Sequence, residues 1–306
     1  MIDRRAFGTL FAAAALGQQM PGKSAPDRAA QGRTGPDRTG PDPAAERLSV
    51  MMWTLKGYGT FEDNLGVVAD AGYRHVELVD EYKQWAGADR ARVLARMSKL
   101  GISVDAMAGV GVGFADPAGG ELFVAELKRI VPLARELGSP QMILLSGKRV
   151  GAGTADDDQR QHGASIETLK RAADVLAGAG LMGVIEPIDR LEQPLIYLDG
   201  VTEAFAIVRA VGSPNVKVLY DLYHEQRTHG NLIEKLVGNV DLIGLVHVAD
   251  VPGRHQPGTG EIHYDSIYSK LDELGYKRRI AMEFYPVGDP VTVLRAAKQQ
   301  ALRGLA

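Results

Sequence analysis

Four short apolar runs in the second half of the chain each end on a side chain that can bind a metal ion. The runs end at Glu186, Asp221, His247 and Glu283, with spacings of 35, 26 and 36 residues. A strand–loop–helix–loop unit of a (β/α)₈ barrel takes about 30 residues. Because the strands of a closed parallel barrel all point the same way, we expect these four side chains to meet at one rim.

The composition narrows the classes of protein that such a chain can belong to. The 306 residues are 45% hydrophobic and 24% charged, with a net charge of −3 and no cysteine. A nearly balanced charge disfavours a nucleic-acid partner, because binding to a phosphate backbone usually requires a basic excess. The lack of cysteine excludes thiolate metal sites, thiol catalysis and disulfides. The chain has no apolar run of about 18 residues, so we expect no stable membrane anchor.

The first 46 residues differ from the rest of the chain. Residues 1–17 contain the pair Arg4 and Arg5 before a short apolar run, which predicts a twin-arginine signal and export to the periplasm; without that signal we expect a cytoplasmic protein. Residues 18–46 contain no valine, isoleucine, leucine or aromatic residue, which predicts a disordered linker. The folded domain is therefore expected to span residues 47–306.

From residue 47 onward, short continuous apolar runs alternate with helical patterns, as in a parallel sheet that is covered on its outer face. We predict eight strands, at residues 48–53, 75–78, 102–107, 141–145, 182–186, 216–221, 242–247 and 279–283. We predict eight helices, at residues 61–71, 89–100, 121–137, 162–179, 201–211, 232–237, 264–274 and 291–303. The polar stretch 146–161 is expected to be a long loop at the rim. No glycine-rich dinucleotide fingerprint follows the first strand, so a single-domain α/β (β/α)₈ barrel is favoured over an open sheet.

The predicted ligands also indicate which metal would bind. Carboxylates with one imidazole suit a hard divalent cation such as Mn²⁺, Mg²⁺ or Co²⁺ better than a structural zinc ion. A cation that bridges a carbonyl and the adjacent hydroxyl of a substrate stabilises a cis-enediolate. The ligand set therefore predicts an enzyme that moves a proton between neighbouring carbon atoms.

Sequence motifs around these residues resemble a known family. The motifs are Ile185-Glu186-Pro187-Ile188, Asp221-Leu222-Tyr223-His224, the stretch 251–261 (VPGRHQPGTGE) and Glu283-Phe284-Tyr285-Pro286. They are similar to those of the hydroxypyruvate isomerases, which belong to a xylose isomerase-like barrel superfamily that also contains ketose 3-epimerases. The resemblance is strong over the second half of the chain and weaker over the first. It implies one divalent metal held by the four residues, with Glu186 and Glu283 as the acid/base pair.

The chain also departs from that family. Hydroxypyruvate isomerases usually have glutamine where this chain has His247, and histidine there resembles the epimerases. The end of the third strand (residues 105–109) and the 146–161 stretch lack the usual family motifs. We expect these segments to shape the pocket and so to determine the substrate, whereas the metal ligands determine the class of reaction.

Further polar residues are candidates for substrate binding. His224 could hydrogen-bond a substrate carbonyl, or be an ordinary solvated loop histidine. The forked guanidinium of Arg254 suits a carboxylate or a polyol, and a surface salt bridge is the alternative. Glu192 could accept a hydrogen bond from a substrate hydroxyl or lie in solvent. For Glu77, at the second strand, we expect a structural hydrogen bond.

Two other groups of residues have alternative interpretations. His255 and His263 could bind a second metal, as in the related abasic-site endonucleases, but further ligands at the second and third strands are not evident. Trp53, Tyr58 and Phe114 could wall the pocket or simply pack in the core.

The ligand set and the family resemblance together predict a metal-dependent isomerase that acts on a small hydroxy-carbonyl compound, and the resemblance points first to hydroxypyruvate and its conversion to tartronate semialdehyde. A ketose 3-epimerase or an aldose–ketose isomerase acting on a free sugar is the alternative, favoured by His247 and Glu192. A third hypothesis is an exported metal- or sugar-binding protein without turnover, although binding alone would not need both Glu186 and Glu283. A lyase or hydrolase of oxidised sugars stays open, as does a homo-oligomer.

Overall fold

The computed structural model describes residues 43–305. The predicted signal at residues 1–17 and most of the predicted linker lie outside that range. The first described helical turn, a 3₁₀ helix at Ala45–Arg47, begins two residues before the predicted start of the domain. Within the described residues, no helix is both long enough and apolar enough to cross a membrane.

Eight parallel strands form a closed barrel in which each strand pairs with its sequence neighbours and the last pairs with the first. They are β1 (Leu48–Met51), β2 (His75–Leu78), β3 (Ser103–Ala108), β4 (Gln141–Leu145), β5 (Met182–Glu186), β6 (Val216–Asp221), β7 (Ile243–Val248) and β8 (Arg279–Met282). The predicted (β/α)₈ barrel is confirmed, and the strand boundaries differ from the predicted ones by two residues at most.

All but the last of the α-helices in the described chain lie between successive strands, as the crossovers of a parallel sheet require, and the last follows the eighth strand. They are α1 (Phe61–Asp70), α2 (Gly87–Leu100), α3 (Gly120–Glu136), α4 (Ala155–Ala179), α5 (Val201–Val211), α6 (Leu222–Thr228), α7 (Leu232–Leu236), α8 (Tyr264–Glu273) and α9 (Pro290–Gly304). The main apolar core packs these helices against the outer face of the strands. A smaller apolar cluster fills the barrel interior: Met51, Ala106, Ile143, Val184, Leu219 and Leu245.

Two of the sequence predictions about helices were wrong. The polar stretch 146–161 is not one long loop, because α4 begins at Ala155, seven residues earlier than predicted. Thr154 and Asp157 form a reciprocal capping box there, which satisfies backbone N–H groups that a helix start leaves free. The second error is α6, which was not predicted and begins directly after β6.

Candidate active site

The four residues predicted as metal ligands lie together at the carboxyl ends of β5 to β8. Glu186 and Asp221 are the last residues of their strands, His247 is the last but one in β7, and Glu283 directly follows β8. All four side chains are buried. One oxygen or nitrogen atom from each lies within 4.8 Å of those from the others. The barrel therefore gathers three carboxylates and an imidazole into one compact cluster.

Asp221 also forms the N-cap of α6. Its Oδ1 atom accepts hydrogen bonds from the backbone N–H groups of Tyr223 at 2.7 Å and His224 at 3.1 Å. This capping arrangement satisfies the first free donors of the helix. It leaves Oδ2 facing the cluster, 3.9 Å from Nδ1 of His247. A single carboxylate thus starts the helix and contributes to the site.

His247 lies between two carboxylates. Its Nδ1 atom is 2.6 Å from Oε2 of Glu283, and its Nε2 atom is 2.8 Å from Oε2 of Glu77. The other oxygen of Glu77 accepts a hydrogen bond from the hydroxyl of Ser49 at 3.4 Å. The hydrogen bond expected for Glu77 therefore exists, and its partner is a residue of the cluster. A carboxylate on the far nitrogen of an imidazole fixes which nitrogen is free to bind a metal.

Arg254 is buried beside the cluster, 5% exposed, so it does not form the surface salt bridge considered above. Its Nη2 atom lies 2.8 Å from Oε2 of Glu283 and 3.4 Å from Oδ2 of Asp221, and its Nη1 atom lies 2.8 Å from Oε1 of Glu192. The guanidinium also lies over the ring of Trp53, 5.2 Å from its centre. Burial alone would lower the pKa of Arg254, but the surrounding carboxylates raise it, so the group is a fixed positive charge.

The two glutamates have different electrostatic surroundings. Burial and the nearby Glu283 carboxylate raise the pKa of Glu186 to about 7. Burial also acts to raise the pKa of Glu283, but Arg254 and His247 outweigh it and hold that pKa well below its usual range. Before any cation binds, the cluster therefore contains one carboxyl that can hold a proton near neutral pH and one that stays ionised.

The structure places His224 in the first turn of α6 rather than in a solvated loop. The residue is 3% exposed, and its Nδ1 atom lies 2.6 Å from Oδ2 of Asp189. Burial would lower the pKa of His224, but Asp221 and Asp189 outweigh it and raise that pKa to about 9. Glu192 is exposed and contacts Arg227 as well as Arg254. His224 and Glu192, like Arg254, thus lie at the edge of the cluster.

The remaining candidates divide between the rim and the core. Trp53 donates from its indole N–H to Oε1 of Glu283 at 3.0 Å, and Tyr58 is exposed and donates to the carbonyl of Pro286. Phe114 is fully buried against Phe123 and belongs to the core. The described residues form two groups of metal-capable side chains, the cluster at the strand ends and a second group made of Asp189, Glu192 and His224, and His255 and His263 belong to neither. The second-metal hypothesis therefore gains nothing from the structure.

Sequence analysis missed two residues of the site, Asp189 and Arg227. Asp189 lies three residues after Glu186, on the same loop. Arg227 lies on α6 three residues after His224, and its Nη1 atom is 3.0 Å from Oδ2 of Asp189. Recognising Asp221 as a helix N-cap would have placed Arg227 on the same helix as His224 and one turn away.

The donor set suits a hard divalent cation. Three carboxylates and one imidazole supply the oxygen and nitrogen ligands that Mn²⁺, Mg²⁺ or Co²⁺ prefer, and the sequence has no cysteine that could add a softer thiolate donor. Arg254 already places one positive charge against Asp221 and Glu283. Three buried carboxylates that converge repel one another, and an additional positive charge would stabilise them.

Comparison with known proteins identifies the family. The protein-family model for the xylose isomerase-like TIM barrel matches residues 65–303 of this chain. Hydroxypyruvate isomerase of Escherichia coli is 35% identical over 50% of this chain, and the aligned part covers 58% of that protein. The 2-oxo-tetronate isomerase of Cupriavidus necator is 31% identical over 74% of this chain and 87% of its own length.

Solved structures show the same architecture. The crystal structure of a family 2 AP endonuclease from Brucella melitensis superposes with a TM-score of 0.73 at 25% identity, covering 81% of this chain and 96% of that one. The sequence match, the closed barrel and the clustered strand ends agree with one another. This chain belongs to the xylose isomerase-like TIM-barrel family.

Proposed function

We propose that the protein is a divalent-metal-dependent isomerase of small hydroxy-carbonyl compounds, with the conversion of hydroxypyruvate to tartronate semialdehyde as the first candidate reaction. The observation that carries this proposal is the convergence of Glu186, Asp221, His247 and Glu283 within 4.8 Å. The relatives named hydroxypyruvate isomerase and 2-oxo-tetronate isomerase support the same reaction class.

Glu186, Asp221, His247 and Glu283 would hold the cation. When bound, it would polarise the substrate carbonyl and the adjacent hydroxyl and so stabilise the negative charge of an enediolate. Glu77 would keep the far nitrogen of His247 engaged, so that Nδ1 stays directed at the cluster.

The two glutamates would move the proton. One carboxylate takes the proton from the carbon that carries the hydroxyl group, which leaves an enediolate. The hydroxyl proton passes to the former carbonyl oxygen, and the other carboxyl group, acting as a carboxylic acid, gives its proton to the neighbouring carbon, so that the former carbonyl becomes a hydroxyl and the former hydroxyl a carbonyl. Between turnovers the first carboxyl group loses its proton to solvent and the second regains one, which restores the starting state. Glu186 and Glu283 suit these roles because burial in one cluster keeps bulk water from competing for the proton.

The alternative function is a ketose 3-epimerase or an aldose–ketose isomerase. In an epimerase the proton would return to the same carbon from the opposite face. The pair formed by Glu192 and Arg254 favours this alternative, because it places an acceptor beside a donor at 2.8 Å, as hydroxyl recognition requires. An exported binding protein without turnover is the third candidate and predicts no exchange of any substrate proton.

Exchange of substrate protons in D₂O tests these proposals. The purified, Mn²⁺-loaded protein is incubated with hydroxypyruvate, a 2-oxo-tetronate, ketohexoses or aldoses, and each mixture has a matched control without enzyme. We expect enzyme-dependent deuterium incorporation into the hydroxy-oxo acid, and into a ketohexose if the epimerase alternative is right. Activity should survive replacement of Mn²⁺ by Mg²⁺ or Co²⁺ at an altered rate. Full activity with no detectable metal would refute metal dependence, and no exchange in any substrate would refute the isomerase.

We also propose that the protein is exported to the periplasm through the twin-arginine route. Arg4 and Arg5, which precede an apolar run, support this proposal. Replacing both by lysine should trap the protein in the cytoplasm in folded form. Normal levels of the double variant in the periplasm would contradict it.

A further inference from the structure

Asp189 accepts four hydrogen bonds, two on each carboxylate oxygen. Its Oδ1 atom accepts from the backbone N–H groups of Leu191 at 2.9 Å and Glu192 at 3.0 Å. Its Oδ2 atom lies 2.6 Å from Nδ1 of His224 and 3.0 Å from Nη1 of Arg227. The side chain is 1% exposed. This residue therefore joins the loop after β5 to helix α6 from a buried position.

Only an ionised carboxylate satisfies this environment. Asparagine has the same shape, but one end of its amide is a donor. If the amide oxygen faced the two backbone N–H groups, its NH₂ group would face Arg227, which can only donate. The opposite orientation would place the NH₂ group against the two backbone donors. Either way, asparagine leaves buried donors facing each other, which carries the cost of unsatisfied polar groups.

The hydrogen bond from His224 to Asp189 determines which nitrogen of the imidazole faces the cluster. Because the carboxylate can only accept, Nδ1 of His224 must carry the proton in that contact. Nε2 then points the other way, 3.6 Å from Oδ2 of Asp221 and 4.0 Å from Oε1 of Glu186. The ring is held at its side by Tyr223, whose ring centre lies 5.5 Å away. Nε2 is thus presented at the edge of the proposed reaction site.

We propose that Asp189 is a positioning residue that fixes the proton of His224 on Nδ1 and so presents Nε2 to an oxygen atom of the substrate. This inference rests on the proposed isomerase function and deepens it, because it names the residue that orients the contact between His224 and the substrate. The Asp189 carboxylate also accepts hydrogen bonds from Arg227 and from the backbone N–H of Glu192. One side chain therefore orients several polar groups at the edge of the pocket.

The test compares Asp189→Asn with a matched control on the same loop. Asp199→Asn is that control: Asp199 forms an ion pair with Arg190 at 2.7 Å and is in neither group of potential ligands. The first measurement is the ¹⁵N chemical shift of the His224 ring nitrogens in Mg²⁺-loaded and metal-free protein, recorded at a pH above the raised pKa of about 9, where the ring is neutral and carries one proton. The signals are assigned by their loss in His224→Gln. The second measurement is kcat and KM for the substrate found by deuterium exchange.

We expect a proton on Nδ1 of His224 in the wild type and in the control. In Asp189→Asn the amide NH₂ should donate to Nδ1 and leave the proton on Nε2. We expect kcat of Asp189→Asn to fall by about 10- to 100-fold, as for other residues that orient an imidazole, while KM changes less than about threefold. A merely structural role would lower the yield of folded protein and leave the tautomer and kcat of the folded fraction unchanged.

An unprotonated Nδ1 of His224 in the wild type would overturn the proposal, and this measurement needs no variant to fold. A proton that stays on Nδ1 in Asp189→Asn, or an unchanged kcat in that variant, would also overturn it. These outcomes are distinct from failure of the proposed function. If no substrate undergoes exchange, the isomerase proposal fails, whereas the tautomer measurement still reports on Asp189.

Discussion

The two halves of the barrel differ at the rim where their strands end. In the first half, the last residues of the strands are apolar: Met51, Leu78, Ala108 and Leu145. In the second half, the residues at or next to the strand ends are ionisable: Glu186, Asp221, His247 and Glu283. The second half thus supplies every proposed ligand.

The first half still contributes through two side chains that reach across. Glu77 is one residue before the end of β2, and it contacts His247 through the barrel interior. Trp53 follows β1, which pairs with β8, and it donates to Glu283. The comparison teaches that the second half provides the proposed reacting groups, while Glu77 and Trp53 of the first half contact two of them, His247 and Glu283. It predicts that substitutions of the second-half residues cause large losses of activity and that substitutions of the first-half residues cause smaller ones.

The largest effect is expected for the two glutamates of the second half. Glu186→Gln and Glu283→Gln keep an oxygen ligand but remove a base, so each should lower turnover by at least about 10² at saturating metal. The double variant should be little worse than the worse single variant, because groups that act as a unit are not additive. Turnover is measured by initial rates at saturating metal and substrate.

The exposed Glu273→Gln on α8 is the control for the glutamate series, and it should retain full activity. If one single variant keeps solvent exchange but loses isomerisation, the altered residue returns the proton and its partner takes the first one. Near-normal turnover in either single variant would leave that glutamate only a ligand.

A smaller effect is expected for Glu77 of the first half. Glu77→Gln should weaken Mn²⁺ binding by about 10- to 100-fold, because outer carboxylates orient a metal-binding histidine. Binding is measured by titration calorimetry on metal-free protein, with Glu62→Gln on α1 as the control. Equal Mn²⁺ affinities of the wild type and Glu77→Gln would show that the first half does not direct His247.

Trp53→Phe should have a more modest effect. The change removes one hydrogen bond to Oε1 of Glu283 but keeps an aromatic ring beside Arg254. A hydrogen bond of about 1 kcal/mol corresponds to roughly a fivefold loss of kcat/KM. The loss of kcat/KM is measured by steady-state kinetics with Mn²⁺. A loss as large as that of the glutamate variants would mean that the two halves do not differ as described.

The smallest effect on activity is expected outside the cluster, at the start of α4. Thr154→Ala removes the N-cap of that helix and should lower the free energy of unfolding by about 1 kcal/mol. Turnover should be unchanged, because the capping box does not touch the cluster. Urea unfolding followed by circular dichroism measures the difference. A loss of turnover without a loss of stability would extend the functional region to this helix.

Much of the fold could be predicted from the sequence because buried parallel strands are continuous apolar runs. The predicted bounds of β2, β4, β5 and β6 coincide with those in the structure. Helix α6 was missed because Asp221 was interpreted only as a strand end, although an aspartate before a polar stretch is also an N-cap signal. The start of α4 was missed because the acidic stretch was interpreted as a loop, although Thr154 and Asp157 form a capping box there.

The sequence predicted only those site residues that lie at or next to the ends of the strands. Glu186, Asp221, His247 and Glu283 follow their strands directly, so parallel geometry alone brings them together. The contact of Glu77 with His247 joins residues 170 positions apart, and local sequence patterns contain no sign of it. Asp189 was missed for a similar reason, because its hydrogen-bond partners lie on a helix that had not been predicted.

The short 3₁₀ helix at Ala45–Arg47 has a practical consequence for anyone who shortens the chain. The carbonyl of Glu46 accepts a hydrogen bond from Arg279, and Arg47 donates to the carbonyl of Tyr276. These contacts lie beside the seam where the first and last strands close the barrel. A recombinant version that starts at residue 45 keeps both contacts, whereas one that starts at residue 48 loses both. We therefore expect the shorter version to melt at a lower temperature, which a thermal scan of the two would show.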